Sequence, residues 1–350
     1  MGLILAILIF GTLIFVHEAG HMILAKLCDI KVNNFMIGFG PKIIEHKFGE
    51  TNYSLCALPF GGACSMEGED TGPSADPRAF TNKPVWQRFL VVVAGPMFNL
   101  IFAFILSLVL MGSIKIPESP VITGLVEGSP AEAVGLQVGD RIVELNGQEI
   151  YFANDLNLYS MLHHRDPALL TYERDGKQSD ISILPVYDDP SGTYMFGFTY
   201  SVGRHQGTAM EILEYAFHNI GYNARLIGGS VLLLFTDRTG VASVSGPIGI
   251  IKEIGQVFQM TRSASGIYMA VMNLINIAIM LSVNLGLLNL IPIPGLDGGR
   301  LAFITYEIIF RHRMAPEKEG MVHLVGTSLL LILVGFVFVS DIIKLTMPIF

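Results

Sequence analysis

Four apolar stretches, 2–27, 89–114, 267–293 and 322–343, constrain this chain more than any other feature. Each reaches the roughly 20 residues needed to cross a hydrocarbon core. Backbone in lipid must satisfy its own hydrogen bonds, so each stretch predicts a spanning helix. Only 15% of the 350 residues are charged, against about a quarter in soluble domains. The first stretch has no positive n-region and no A-x-A-like cleavage site, and it is read as a retained helix. A net charge of −8 argues against nucleic acid as a partner and leaves the lipid bilayer as the main one.

Lys and Arg near the spans set the expected orientation. Lys26, Lys31, Lys42, Lys47, Arg78, Lys83 and Arg88 lie between the first two spans, and Arg300, Arg311, Arg313 and Lys318 between the last two. Both loops are therefore expected in the cytoplasm, with the amino terminus and the stretch 115–266 outside. Cys28, Cys56 and Cys64 make an odd set without a CxxC pair, which predicts free thiols rather than a disulfide framework.

Between the spans the chain divides further. Residues 28–87 alternate in short apolar patches punctuated by Gly and Pro, and predict hairpins that dip towards the membrane. Residues 118–187 predict a β-rich insert. Ser129 followed by Pro130 caps a short helix, and Asn146-Gly147 after "RIVEL" is a strong hairpin signal. Gly135, Leu136, Gly139, Asp140, Ile142, Asn146 and Gly147 give this insert a pattern that resembles a PDZ domain, a fold that binds extended peptides at a sheet edge. Residues 188–266 predict extracytoplasmic amphipathic or interfacial helices. The expected fold is a polytopic α-helical membrane protein with four transmembrane helices, a membrane-associated β-hairpin region and a β-rich PDZ-like extracytoplasmic domain. Its parts are 1–117, 118–187, 188–266 and 267–350.

The chemistry begins inside the first span. His17, Glu18 and His21 form HExxH in an otherwise apolar helix. Positions i and i+4 share a helix face, so two imidazoles can grip one ion, and the adjacent glutamate can take a proton from its water. Unpartnered, the same trio in lipid would be costly. A catalytic zinc site needs a third protein ligand and an open position. Asp29, Glu45 and His46 are candidates, and Glu307 is a further acid, but Asp297 is best placed. It is the only acid between Ile267 and Tyr306. His21 sits about 8 Å before Lys26 at 1.5 Å per residue. Span three also runs inward and delivers Asp297 near the same depth.

HExxH in the first span, "NLIPIPGLDGG" in the third and a PDZ-like insert between them resemble the site-2 protease family, within it the bacterial regulator-of-sigma-E protease branch. "GFGP", "LPFGG", "AGPMFN" and "SGPIGI" add to the resemblance, which covers nearly the whole chain. It implies His17, His21 and Asp297 as ligands of Zn2+, Glu18 as general base, and hydrolysis of peptide bonds within membrane-spanning helices. It also implies residence in the bacterial inner membrane. The substrates it offers are anti-sigma factors or signal-peptide remnants. An unwound substrate helix needs partners for its backbone. Strand edges within 35–60 and the amides of Asn99, Asn284 and Asn289 are candidates. Each amide has an alternative use as interhelical glue. Pro292 and Pro294 end the third span and turn the chain towards Asp297. A scaffold without activity would have had no use for Glu18 and Asp297, and a transporter none for HExxH.

Overall fold

The computed structural model describes residues 1–69, 74–150, 153–162, 166–188, 193–236, 246–314 and 316–346. Along the chain run α1 (Gly2–Leu27), β1 (Val32–Phe48), β2 (Thr51–Met66), α2 (Val85–Ser113), β3 (Ile116–Pro117), β4 (Val121–Leu125), α3 (Pro130–Ala133), β5 (Arg141–Leu145) and β6 (Gln148–Glu149). Then come α4 (Ala153–Leu162), β7 (Ala168–Arg174), β8 (Lys177–Ile183), β9 (Val186–Asp188), β10 (Thr193–Met195), β11 (Phe198–Ser201) and β12 (Arg204–His205). Four helices close the chain: α5 (Ala209–Thr236), α6 (Pro247–Leu290), α7 (Asp297–Phe310) and α8 (Pro316–Thr346). The chain divides into two compact units, 1–106 with 241–350, and 107–240.

Among the described residues four helices are long and apolar enough to cross a membrane: α1, α2, α6 and the part of α8 from Lys318 to Ile342. Three match the expected stretches to within a few residues. The remaining one matches as well, because α6 joins two helices across a kink and the second begins after Gly266, near 267 as expected. Gly266 breaks α6 with φ 84° and ψ 174°, a backbone that only glycine adopts readily. The helix leading into that run carries Lys252, Glu253 and Arg262 and falls within 188–266, where amphipathic helices were expected.

Small residues let the helices of the first unit meet backbone to backbone, as in membrane bundles generally. A Cβ on Gly20 of α1 would lie 2.6 Å from Ala94 O of α2. One on Gly286 of α6 would lie 2.9 Å from Pro96 O. Asp341 of α8 is buried and holds the start of α6. Its carboxylate accepts from the backbone N–H of Gly246 (2.9 Å), Ile248 (3.0 Å) and Gly249 (3.0 Å). Those donors are the ones a helix N-terminus leaves free, and an acid there also meets the positive end of the helix dipole.

β1 and β2 form a hairpin that folds over on itself. Gly38 and Gly40 bend β1 and Gly61 bends β2, all at positive φ. The pairing therefore runs laterally as 42–48, 51–58, 32–39, 62–66, with 62–66 at an edge. Ala25, Val32, Cys64, Met66, Val91 and Leu301 are buried together, which packs that edge and α7 against α1 and α2.

The second unit holds a sheet in the order β11-β4-β5-β7-β8, with β6 on β5. The predicted turns are present. Ser129 Oγ accepts from Glu132 N at the start of α3. Asn146 and Gly147 both take positive φ between Leu145 and Gln148, which pair. Ile122, Leu136, Ile142, Leu145, Leu170 and Ile183 form its core. Asp140 is buried and accepts from Arg174 Nε and Nη2, both at 2.6 Å, and from Gln137 N at 2.8 Å. The sheet takes its edge strand β11 from beyond residue 187. Local alternation does not reveal so distant a partner.

Candidate metal centre

α1 puts His17 and His21 one turn apart on its buried face. Asp297 reaches them as the first residue of α7. The chain gets there by a tight reversal after α6. Cβ atoms on Gly298 and Gly299 would lie 2.0 Å from Ile291 O and 2.7 Å from Ile293 O, so only glycines fit where the first turn of α7 packs on the preceding loop. Pro294 of that loop packs against Gly326 of α8, and Gly295 N donates to His323 Nδ1 at 3.3 Å.

The three donor atoms converge. His17 Nε2 lies 3.0 Å from Asp297 Oδ2, His21 Nε2 lies 3.4 Å from it, and the two Nε2 atoms are 3.3 Å apart. Tetrahedral zinc with bonds near 2.0–2.1 Å needs donors roughly 3.3 Å apart. Asp297 Oδ2 is also buried without a well-directed hydrogen bond, as expected of an atom aimed at an ion. Burial raises the Asp297 carboxyl, but His21 and His17 facing it outweigh that and hold it below the ordinary carboxylate range. Among the described residues this is the group of His, Cys, Asp and Glu side chains suited to hold a metal ion.

Glu18 lines the same cavity, of about 610 Å³, together with Cys64, Arg300 and Glu319. A Cβ on Gly62 would lie 2.9 Å from Glu18 Cγ, so the edge 62–66 approaches the acid where it has no side chain. Burial and the nearby Glu18 push the Cys64 thiol up to about 12.

The other sequence candidates are engaged elsewhere. Glu307 accepts from Arg88 Nη2 at 2.6 Å and Nη1 at 3.1 Å. Asp29 accepts from Arg78 and Lys83, and Glu45 from Lys42. His46 is exposed. Asn99 is fully buried with its amide against His17. Asn284 has a buried, unpartnered Oδ1. Asn99, Asn284, Asn289, Pro292 and Pro294 lie outside the lining of the cavity.

The sequence did not disclose what α2 does here. His21 Nδ1 lies 2.9 Å from Val91 O, and a Cβ on Gly95 would come within 2.2 Å of His21 Nε2. Val91, Gly95 and Asn99 are spaced by four, which is the only signal that they share one face.

The model of peptidase family M50 matches residues 5–333. The chain belongs to this family. A putative zinc metalloprotease of Clostridium acetobutylicum is 33% identical over 342 residues, 98% of this chain and 97% of its own length. Another from Fusobacterium nucleatum is 32% identical over 99% of each. The regulator of sigma-W protease RasP of Bacillus subtilis is 28% identical over 97% of each. Among solved structures the chain is similar to the PDZ domain of an SdrC-like protein from Listeria monocytogenes, 21% identical with a TM-score of 0.21, over 23% of this chain and 86% of that one. This M50 chain is thus a zinc metalloendopeptidase of the membrane.

Proposed function

We propose that this protease cuts peptide bonds within transmembrane helices, with His17, His21 and Asp297 holding zinc and Glu18 as general base. The observation that carries the reading is the triangle of donors 3.0–3.4 Å apart, two of them inside a spanning helix, with a glutamate beside them in the cavity. Zinc bound there would polarise the scissile carbonyl and acidify the attacking water. Glu18 takes the proton from that water and delivers it to the leaving amine.

A substrate helix hides its carbonyls in its own hydrogen bonds and must unwind before attack. The edge 62–66 pairs on one side only among the described residues and borders the cavity, which suits it to receive the unwound segment as an added strand. This edge lies just past the 35–60 region that the sequence suggested. Asn284, with its unpartnered oxygen, and Asn289 near the end of α6, with Pro292 and Pro294 just beyond it, are the residues proposed to hold the unwound substrate. The basic loops support a site near the cytoplasmic side of a bacterial inner membrane, with the amino terminus and the PDZ-like unit outside. The substrates are membrane-anchored regulators such as anti-sigma factors, or signal-peptide remnants; the name of the Bacillus relative, a regulator of sigma-W protease, supports the first class.

The test is cleavage of a single-span substrate by purified protein, with zinc content measured in parallel. Glu18→Gln should keep its zinc and lose cleavage by about 10²–10⁴-fold, the ordinary contribution of a general base. Equal cleavage by both proteins would remove Glu18 from the mechanism.

A further inference from the structure

The two histidines offer the same atom, Nε2, to Asp297, so each must keep its proton on Nδ1 in order to ligate. What the second ring nitrogen touches decides the tautomer. For His21 the geometry is direct. Val91 O, 2.9 Å from Nδ1, can only accept, so Nδ1 carries the proton and Nε2 keeps its lone pair.

For His17 the neighbour is the Asn99 side chain, with Nδ2 3.1 Å from Nδ1. An amide NH2 only donates, and it would oblige Nδ1 to accept. Asn99 Oδ1, at the other end of the same amide, is buried and has no partner. Turning the amide by 180° exchanges its ends within almost the same outline. Oδ1 then accepts from His17 Nδ1–H and ceases to be an orphan. The side chain has nowhere else to go: Asn99 is 0% exposed, and its backbone carbonyl is tied to α6 by Ser282 Oγ at 2.7 Å.

We propose that Asn99 is a positioning residue for His17, its amide oxygen fixing the ring in the tautomer and orientation that direct Nε2 at the metal. Resting on the zinc reading above, this assigns α2 a single task. Val91 and Asn99, eight residues apart, provide the acceptors for the two imidazoles, and Gly95 midway leaves the room that His21 fills. Outer acceptors of this kind set the basicity of a ligand histidine as well as its direction. Asn99 is thereby withdrawn from the groups free to hold substrate.

The test measures zinc affinity by chelator competition on the full-length protein in detergent, alongside kcat and KM for a single-span substrate. Asn99→Ala should weaken zinc about 10- to 100-fold and leave KM unchanged at saturating zinc. Asn99→Asp keeps an oxygen acceptor at the same place and should bind zinc within about threefold of wild type, the rescue a purely packing role would not give. The proposal is overturned if Asn99→Ala binds zinc like wild type and raises KM, the signature of an amide that holds substrate. It is equally overturned if Asn99→Asp loses as much zinc affinity as Asn99→Ala, and that comparison with wild type stands even if the alanine variant does not fold. A wild type holding no zinc would remove the parent reading too, whereas wild type and variants holding it equally would remove only this one.

Discussion

Adding one methyl group at Gly95 should weaken the metal site without touching a ligand. The new Cβ would lie 2.2 Å from His21 Nε2, 2.6 Å from Cε1 and 2.7 Å from Cδ2. Contact at 3.4 Å is already ordinary, so the ring would have to retreat by about 1.2 Å. It cannot simply swing, because Nδ1 is held by Val91 O. The helices cannot easily part either, because Gly20 and Ala94, the residues next to His21 and Gly95, already bring their backbones together. A metal ligand tolerates about 0.2 Å of displacement. Overpacking of this kind costs about 1–3 kcal/mol, which at 1.4 kcal/mol per decade corresponds to roughly 5- to 150-fold weaker zinc binding. Gly112→Ala on the same helix is the control, since its Cβ would meet nothing within 4 Å. Chelator competition on purified protein reads the effect. Zinc affinity in Gly95→Ala equal to that of Gly112→Ala would refute the reasoning, because the ring would then have been free to move.

Two further outcomes follow from contacts remote from the metal. Asp341→Ala removes the acceptor for three N–H groups at the start of α6 and should cost about 1–2 kcal/mol, near the top of the range for an N-cap. Hydrogen exchange at 246–250 should speed up roughly 5- to 30-fold, and unchanged exchange would show the cap to be idle. In the second unit, burial raises the Asp140 carboxyl, but hydrogen bonds from Arg174 and Gln137 outweigh it and the net shift is downward. A depressed folded pKa means stability that is present above the ordinary aspartate value of about 3.9 and lost as pH falls through the lower, folded one. Exchange protection of β5 should therefore drop on acidification below about pH 4, and Asp140→Asn should be less stable at pH 7 and lack that acid step. An acid step that persists in Asp140→Asn would assign it to another group.

The convergence of His17, His21 and Asp297 and the four long apolar helices were legible because each has a local signature: HExxH at helical spacing, a lone acid after a Pro-broken helix, and apolar runs of fixed length. The turns at Ser129-Pro130 and Asn146-Gly147 were legible for the same reason. What escaped depends on contacts between distant segments. Nothing in the run around Val91 tells that its carbonyl meets His21, 70 residues away. The lateral order of β1 and β2 depends on the bends at Gly38, Gly40 and Gly61, which place residue 35 opposite both 53 and 64. Glu307 read as a spare acid near the site, and only the fold shows it committed to Arg88.

The distribution of the donors along the chain also governs when the protein can act during its own synthesis. His17 and His21 leave the ribosome first, while Asp297 follows 276 residues after His21. At 5–20 residues per second that interval is about 15–55 s. Through all of it the nascent chain carries HExxH in the bilayer with an incomplete coordination set. A membrane protease assembled in this order has no complete donor set until three of its four candidate spans have been made, and only the last, Lys318–Ile342, follows Asp297.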